Sequence, residues 1–405
     1  MEARNLREML AEAKDTSELM VDLAYAALFF NDTDMADEVE ELEQKVTDLV
    51  HAMRTLCIIA VRNPREAEAM SAVLQVISAV ESIGNDAVDI AHIITRQLGI
   101  PPQLVLDLME AEEIAHRVEV HAGSHFANRM LSSFELPVVT GMRVMAIRRG
   151  RQWMVDPGGD AILNPGDVLF LRGSPDGIVR LRELAGAPSW SPPRVEEATT
   201  LTDLDRAVDT IVEMKNLSEV AVGLAYSSLV FRDRSLAAEV RHLEDRLDEM
   251  KIRLELWVLR AAGDDVDPKP LRGLLHLAAA AEDLGDQAQQ MVWLVERQSD
   301  LHPVLQVALG DTDDVIVRMP MAADASAAGK SLDELDLPIE PGFNVLAIER
   351  DGRYLYRPRR HVVLRVDDTI LASGPEEGTE ALAEMFGWRV VENDEGEDQL
   401  EPLGS

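Results

Sequence analysis

From Leu6 to Phe30 the apolar positions recur at helical spacing, and Leu6, Met9, Leu10, Leu19, Leu23, Ala26 and Ala27 share one face. The run Asn31-Asp32-Thr33-Asp34 then interrupts it as a turn. A second helix is predicted from Met35 to Val61, with Val39, Leu42, Val46, Leu49, Met53 and Leu56 facing inward. Asn63-Pro64 ends it, and Pro64 suits the first turn of a third helix that reaches Leu98, just before Gly99 and Pro101. Three amphipathic helices with short connections predict an antiparallel bundle.

The period then changes. Val138-Val139, Val144-Met145-Ala146-Ile147, Trp153-Met154-Val155 and Val168-Leu169-Phe170-Leu171 read as short strands. Gly150, Pro157-Gly158-Gly159 and Asn164-Pro165-Gly166 supply turns between them, and a helix is predicted from Pro175 to Ala185. This second part is a small α+β module.

Both parts occur twice. Leu23-Ala24-Tyr25 returns as Leu224-Ala225-Tyr226, Gly84 as Gly285, Pro137 as Pro338, Gly141 as Gly342, Asp167 as Asp368 and Gly173 as Gly374, all offset by 201 residues without a gap. The expected domains are a bundle at 1–100, an α+β module at 110–186, a linker at 187–203, a second bundle at 204–300 and a second module at 311–388. The acidic tail, 389–405, is expected to be disordered.

Composition sharpens this picture. The 405 residues carry 39 Lys and Arg against 74 Asp and Glu, a formal net charge of −35. A surface this acidic repels phosphate backbones and anionic headgroups, so neither nucleic-acid binding nor electrostatic membrane adhesion is expected. Leu23 to Phe30 is the longest apolar run and falls far short of the roughly 18 residues of a spanning helix, so no direct membrane insertion is expected. The N-terminus lacks the apolar core of a signal peptide, and the expectation is a cytoplasmic protein. Only six lysines occur, and strong acidity with few lysines suggests a halophilic surface. The single cysteine, Cys57, lies among Leu56, Ile58 and Ile59 and reads as a buried small hydrophobe.

Two sets of motifs carry a family resemblance. Glu81-Ser82-Ile83-Gly84-Asn85-Asp86-Ala87, Glu282-Asp283-Leu284-Gly285-Asp286-Gln287-Ala288 and Leu243-Glu244-Asp245-Arg246-Leu247-Asp248 resemble the helix signatures of PhoU proteins. Gly329-Lys330-Ser331-Leu332-Asp333-Glu334-Leu335, Gly342-Phe343-Asn344-Val345-Leu346-Ala347-Ile348, Val144-Met145-Ala146-Ile147-Arg148-Arg149-Gly150, Pro165-Gly166-Asp167-Val168-Leu169 and Gly173-Ser174-Pro175 resemble the TrkA C-terminal domain (RCK_C). In order and duplication the chain is similar to archaeal proteins that alternate the two domains. The resemblance implies a multi-domain fold, mainly α plus α+β: two three-helix PhoU-like bundles, each followed by a small α+β RCK_C domain.

Glu244 and Asp248 stand one helical turn apart, as do Glu282 and Asp286 on the next helix of the same bundle. Four carboxylates across a helix pair suit a hard or borderline cation. The resemblance implies the same: a divalent or iron-type metal in the second bundle. In the first bundle Thr47 and Asn85 replace two of the acids and leave Glu43 and Glu81. His121 and His125, also four apart, read as ordinary loop histidines, because Gly123 separates them and the second copy has Ala322 and Ser326 there. Gly329-Lys330-Ser331 lacks the rest of a phosphate loop and reads as the start of a helix.

RCK_C domains pair and hold small ligands, so the resemblance also implies a cyclic dinucleotide such as cyclic di-AMP. Asn344 matches an asparagine that contacts the ligand in some members, Arg143 stands at that position in the first copy, and Arg148, Arg149 and Arg350 are candidate cationic contacts. The implied function is a cytosolic regulatory subunit for monovalent cation transport, most directly of potassium. It would partner a membrane potassium channel or Trk-type transporter, lie peripheral to the membrane through that partner, and form a homodimer as the default assembly. A PhoU-type regulator of phosphate uptake and a metal-dependent enzyme are the alternatives, and no catalytic residue set is suggested.

Overall fold

A computed structural model describes residues 5–108, 114–190, 202–262, 267–297, 301–310, 312, 314–392 and 398–403. Linker residues 191–201 and tail residues 393–397, 404 and 405 lie outside the described residues. The chain divides into two compact units, one holding both helical segments and the other both α+β segments.

In the helical unit, α1 (Leu6–Phe30), α2 (Thr33–Ala60) and α3 (Pro64–Thr95) form the first bundle. Their counterparts α7 (Asp203–Phe231), α8 (Arg234–Ala261) and α9 (Pro268–Glu296) form the second. Local chemistry explains the boundaries. Asn5 caps α1 in a reciprocal box with Glu8, and Thr202 does the same for α7 with Asp205. Asp32 caps α2, Asp233 caps α8, and Asp267 caps α9 ahead of Pro268. Asn31 ends α1 in the left-handed region at φ 50°, a conformation asparagine tolerates. Cys57 is buried as expected, but its neighbours Ile58 and Ile59 are exposed, and so is Leu56, which was expected to face inward. Among the described residues no helix is long and apolar enough to cross a membrane.

The bundles pair through α3 and α9, and two short helices that periodicity alone did not reveal make the exchange reciprocal. The first of these, α4 (Pro102–Asp107), packs on α7 of the second copy, while α10 (Pro303–Gly310) packs on α1 of the first. A second reciprocal contact lies deeper. Lys14 Nζ stands 5.2 Å from the Tyr226 ring centroid, and Lys215 Nζ stands 5.2 Å from the Tyr25 ring centroid. Both ammonium groups are buried, and each has a glutamate one turn away: Glu18 at 2.9 Å and Glu219 at 2.7 Å. Residues 14 and 25 correspond to 215 and 226, so each copy makes the same contact with the other.

In the second unit each copy contributes a four-stranded antiparallel sheet. The first, in the order β1-β6-β3-β4, contains β1 (Ile114–Glu119), β3 (Met142–Arg149), β4 (Gln152–Val155) and β6 (Val168–Gly173). The second, β7-β10-β8-β9, repeats it with β7 (Asp314–Pro320), β8 (Asn344–Arg350), β9 (Arg353–Tyr356) and β10 (Thr369–Pro375). A further short pair joins β2 (Arg129–Met130) to β5 (Ile162–Leu163). The helix α6 (Ile178–Ala185) falls where periodicity placed it. Val138-Val139 instead belongs to a short helix, α5 (Leu136–Thr140), with Pro137 in its first turn. Ser331 caps α11 (Leu332–Leu335) in a reciprocal box with Glu334, which explains the Gly-Lys-Ser run without a phosphate. The helix α12 (Thr379–Met385) leads into β11 (Trp388–Glu392), which pairs with β12 (Asp398–Pro402). Part of the tail expected to be disordered is therefore a hairpin. Val390 and Leu400 are opposite each other in it and pack on the second domain's core, which offsets the tail's acidity.

The α+β domains also pair reciprocally. A Cβ on Gly141 would lie 2.0 Å from the Pro338 carbonyl oxygen, and a Cβ on Gly342 would lie 2.5 Å from the Pro137 carbonyl oxygen. The two-fold arrangement is thus made inside one chain. Gly141→Ala should lower stability by about 3 kcal/mol, because the methyl group has no room and φ is +61°. Gly150→Ala shares the left-handed backbone (φ +64°) but faces open space, and should cost only about 1 kcal/mol. Denaturant titration of both variants checks this; equal losses would mean that backbone strain, not the domain contact, sets the cost.

Candidate functional site

Glu244 and Asp248 project from α8, and Glu282 and Asp286 from α9. The two helices approach closely, and a Cβ on Gly285 would lie 2.6 Å from Leu247 Cδ1, so the glycine lets Leu247 in. Glu244 is buried, accepts a hydrogen bond from Gln289 Nε2 at 2.5 Å and shares another with Asp286. Burial, then the charges of Asp248, Asp286 and Asp245, push its carboxyl up to about 7. Burial also raises Glu282, which forms a short ion pair with Lys251 and a hydrogen bond with Asp248. Asp283 is raised as well, by burial first and against the pull of Lys251.

The first copy adds an acid that spacing alone did not single out. Asp86, on α3, is 8% exposed and belongs to the interface where α3 packs on α9. Its Oδ2 is buried without a hydrogen-bond partner. Burial, then Asp283, Asp89, Asp286 and Glu282, push the Asp86 carboxyl up to about 8. Contributions from both copies therefore build one acidic seam, and near neutral pH part of it holds protons.

Glu244, Asp248, Glu282 and Asp286, the residues expected to hold a metal, all belong to this seam. Among the described residues, no three His, Cys, Asp or Glu side chains stand close enough together to hold a metal ion. The cation on the Glu282 carboxylate is the Lys251 ammonium. In the first bundle Arg54 plays this part, 2.6 Å from Glu81 and 3.2 Å from Ser78, while Thr47 donates to Glu43 at 2.8 Å. Lys251 was legible in principle, since it lies three residues after Asp248 on the same helical face.

The seam makes stability depend on pH. The raised folded pKa values of Asp86 and Glu244 mean that the folded state binds more protons than the unfolded chain between about pH 4 and 8. Stability is then highest in the acidic part of this window and falls as pH rises through the folded values. Asp86→Asn removes the charge that must be buried, and should raise stability at pH 9 by roughly 2 kcal/mol, with a gain that shrinks as pH falls and vanishes below about pH 4. Melting curves across this range test the sign; a loss at pH 9 would overturn it.

Of the expected ligand contacts, Arg149 and Arg350 are engaged within their own domains. Arg149 donates to both carboxylate oxygens of Asp167 at 2.8 Å and to the Ile162 carbonyl at 2.8 Å. Arg350 repeats this with Asp368 at 2.7 and 2.6 Å and with the Val363 carbonyl at 2.9 Å. Both aspartates are 1% exposed. Although burial pushes the Asp167 carboxyl up, hydrogen bonds from Arg149 and the Asn164 amide hold it below the usual range. Each clasp fixes the chain before the last sheet strand to the central strand, so these guanidinium groups serve the fold. Arg148 lies over Trp153 and Phe170, with ring centroids at 5.5 and 5.4 Å, and Arg143 is 3.8 Å from Asp156. Asn344 begins β8, opposite Ser373 of β10. Arg350→Ala leaves a buried carboxylate without its cation and should cost about 3–5 kcal/mol. Arg350→Lys should recover only part of that loss, because lysine lacks the planar fork. Denaturant titration of both variants measures it, and an unchanged midpoint for the alanine variant would remove the clasp from the fold's support.

Comparison with known proteins follows the same division. The TrkA-C domain family matches residues 115–186 and 316–387. The PhoU domain family matches residues 10–94 and 211–295. Over 81 residues the chain is 33% identical to the sodium/sulfate cotransporter 2 of Chlamydomonas reinhardtii, which covers 20% of this chain and 9% of that protein. The chain thus spans under a tenth of that relative's length. Among solved structures, the GsuK channel bound to NAD is 17% identical, covers 79% of this chain and 65% of its own, and has a TM-score of 0.19. The GsuK RCK domain is 16% identical, covers 79% and 78%, and has a TM-score of 0.18. Similarity at these TM-scores carries no further argument.

Proposed function

We propose, from the premise that this chain is two PhoU domains alternating with two TrkA-C domains, that it regulates a membrane transport system for a monovalent cation, potassium. The observation that carries this reading is the reciprocal pairing of the TrkA-C domains at Gly141–Pro338 and Gly342–Pro137. A pair packed that closely responds to small displacements by changing register, not by bending. A ligand that binds one packing better than another would shift the pair, and a partner that reads the pair would sense it. The role is regulatory, with no catalytic step assigned to the chain.

The ligand in this reading is a small molecule held by the paired TrkA-C domains, with a cyclic dinucleotide as the candidate class and Asn344 as a contact. Arg149 and Arg350 could join only by releasing Asp167 and Asp368. A metal in the second bundle would have to displace the Lys251 ammonium from Glu282. The partner is a potassium channel or Trk-type transporter, and the protein lies at the cytoplasmic face of the membrane that holds it.

The PhoU match favours a second reading, regulation of phosphate uptake. Affinity capture of the full chain from native membranes in molar KCl separates the two. Recovery of a potassium channel or Trk-type transporter is the expected result. Recovery of a phosphate transporter instead would favour the second reading, and recovery of no transporter would overturn both.

A further inference from the structure

The two TrkA-C domains share a backbone but not a charge pattern. Residues 152–164 of the first hold two aspartates, Asp156 and Asp160, and no Lys or Arg. The matching residues 353–365 of the second hold five arginines and His361, and no acid. In a chain with 74 acids against 39 cations, an acid-free stretch this rich in arginine stands out from the composition.

The structure gives the stretch a surface. Arg360 is used within the unit, 3.1 Å from Asp176 of the first domain. Among the described residues the guanidinium groups of Arg353, Arg359 and Arg365 have no carboxylate partner, although the Arg365 main-chain amide donates to Asp368, and the buried Nε of Arg357 has no hydrogen-bond partner. Aliphatic side chains are exposed between them: Leu355 is 42% exposed, Val363 47% and Val366 45%. Arg353 and Leu355 alternate along β9 and so share one face of this edge strand. The Arg350 clasp brings Val363 alongside, because its guanidinium binds the Val363 carbonyl. The stacked rings of Tyr354 and Tyr356, 5.5 Å apart, belong to the same strand. Asp351 and Asp367 flank the stretch without entering it.

We propose that this segment, through Arg353, Leu355, Arg359, Val363, Arg365 and Val366, contacts an anionic lipid surface. Guanidinium groups fit phosphate in a bidentate way. Exposed aliphatic side chains between cations are the pattern of surfaces that settle at the headgroup boundary. An acidic peptide would meet the arginines but would leave the aliphatic groups in water. The net charge of −35 argues against adhesion only while the rest of the surface is felt. The screening length is about 8 Å at physiological ionic strength and about 3 Å at 1 M, so direct pairs outlast the long-range repulsion. The proposal needs no protein in the membrane and stands apart from the transporter reading.

Flotation of the full chain with phosphatidylcholine vesicles, with and without a quarter of phosphatidylglycerol, tests it at salt from roughly 0.1 to about 1 M. The expected result is binding to the anionic vesicles alone. R353Q/R359Q/R365Q should lower the bound-to-free ratio about tenfold, L355S/V366S should lower it too, and R180Q should leave it unchanged. These side chains are exposed, and an unchanged melting curve confirms that each variant is folded. No binding to anionic vesicles at any salt, or equal binding by the triple variant, overturns the proposal. Capture by immobilised poly-glutamate with none by vesicles also overturns it and assigns the segment to an acidic protein.

Discussion

A buried ammonium tolerates few surroundings, and the helical unit supplies them twice from opposite halves. Lys14 has Glu18 on its own helix and the Tyr226 ring across the interface, while Lys215 has Glu219 and Tyr25. Away from the other half, neither lysine has an aromatic face above it, and a buried charge without compensation is costly. The bundles must therefore meet in one register. The same logic governs the α+β unit, where two proline carbonyls approach two glycines too closely for any side chain. Both units are self-complementary, and duplication within the chain provides both partners.

Within that symmetry the polar residues diverge. Asp86 corresponds to Gln287, Asn85 to Asp286 and Thr47 to Asp248, so the acids lie mainly on the second copy while the orphaned carboxylate comes from the first. The balancing cations have also moved by one turn, from Arg54 in one bundle to Lys251 in the other. A backbone kept constant by packing leaves partly buried polar positions free to change, provided that each charge finds a counter-charge or a proton.

This contrast explains what could be read in advance. Helix ends were legible where a capping residue and a broken period coincide, as at Asn5 and Asn31 around α1. Three strands of the first module, β3, β4 and β6, lie within a few residues of their apolar runs. Val138-Val139 misled because two β-branched residues suggest a strand, whereas Pro137 and the turn at Gly141 close a single helical turn around them. The tail misled because its acidity masks Val390 and Leu400. Spacing showed which carboxylates share a helical face but not which cation faces them, so Lys251 and Asp86 went unnoticed. The clasps of Arg149 and Arg350 were not legible either, because their partners, Asp167 and Asp368, lie 18 residues downstream, beyond the reach of any local pattern.

Fusing the two halves has a further result. A homodimer comes apart on dilution and carries every surface feature in duplicate. Here the tether holds each half near the other at all concentrations, so the pairing cannot be lost by dilution. The arginine-rich stretch occurs once, on the second copy, while its counterpart on the first carries two aspartates. An α+β unit built on a two-fold plan has in this way acquired two halves of unlike charge.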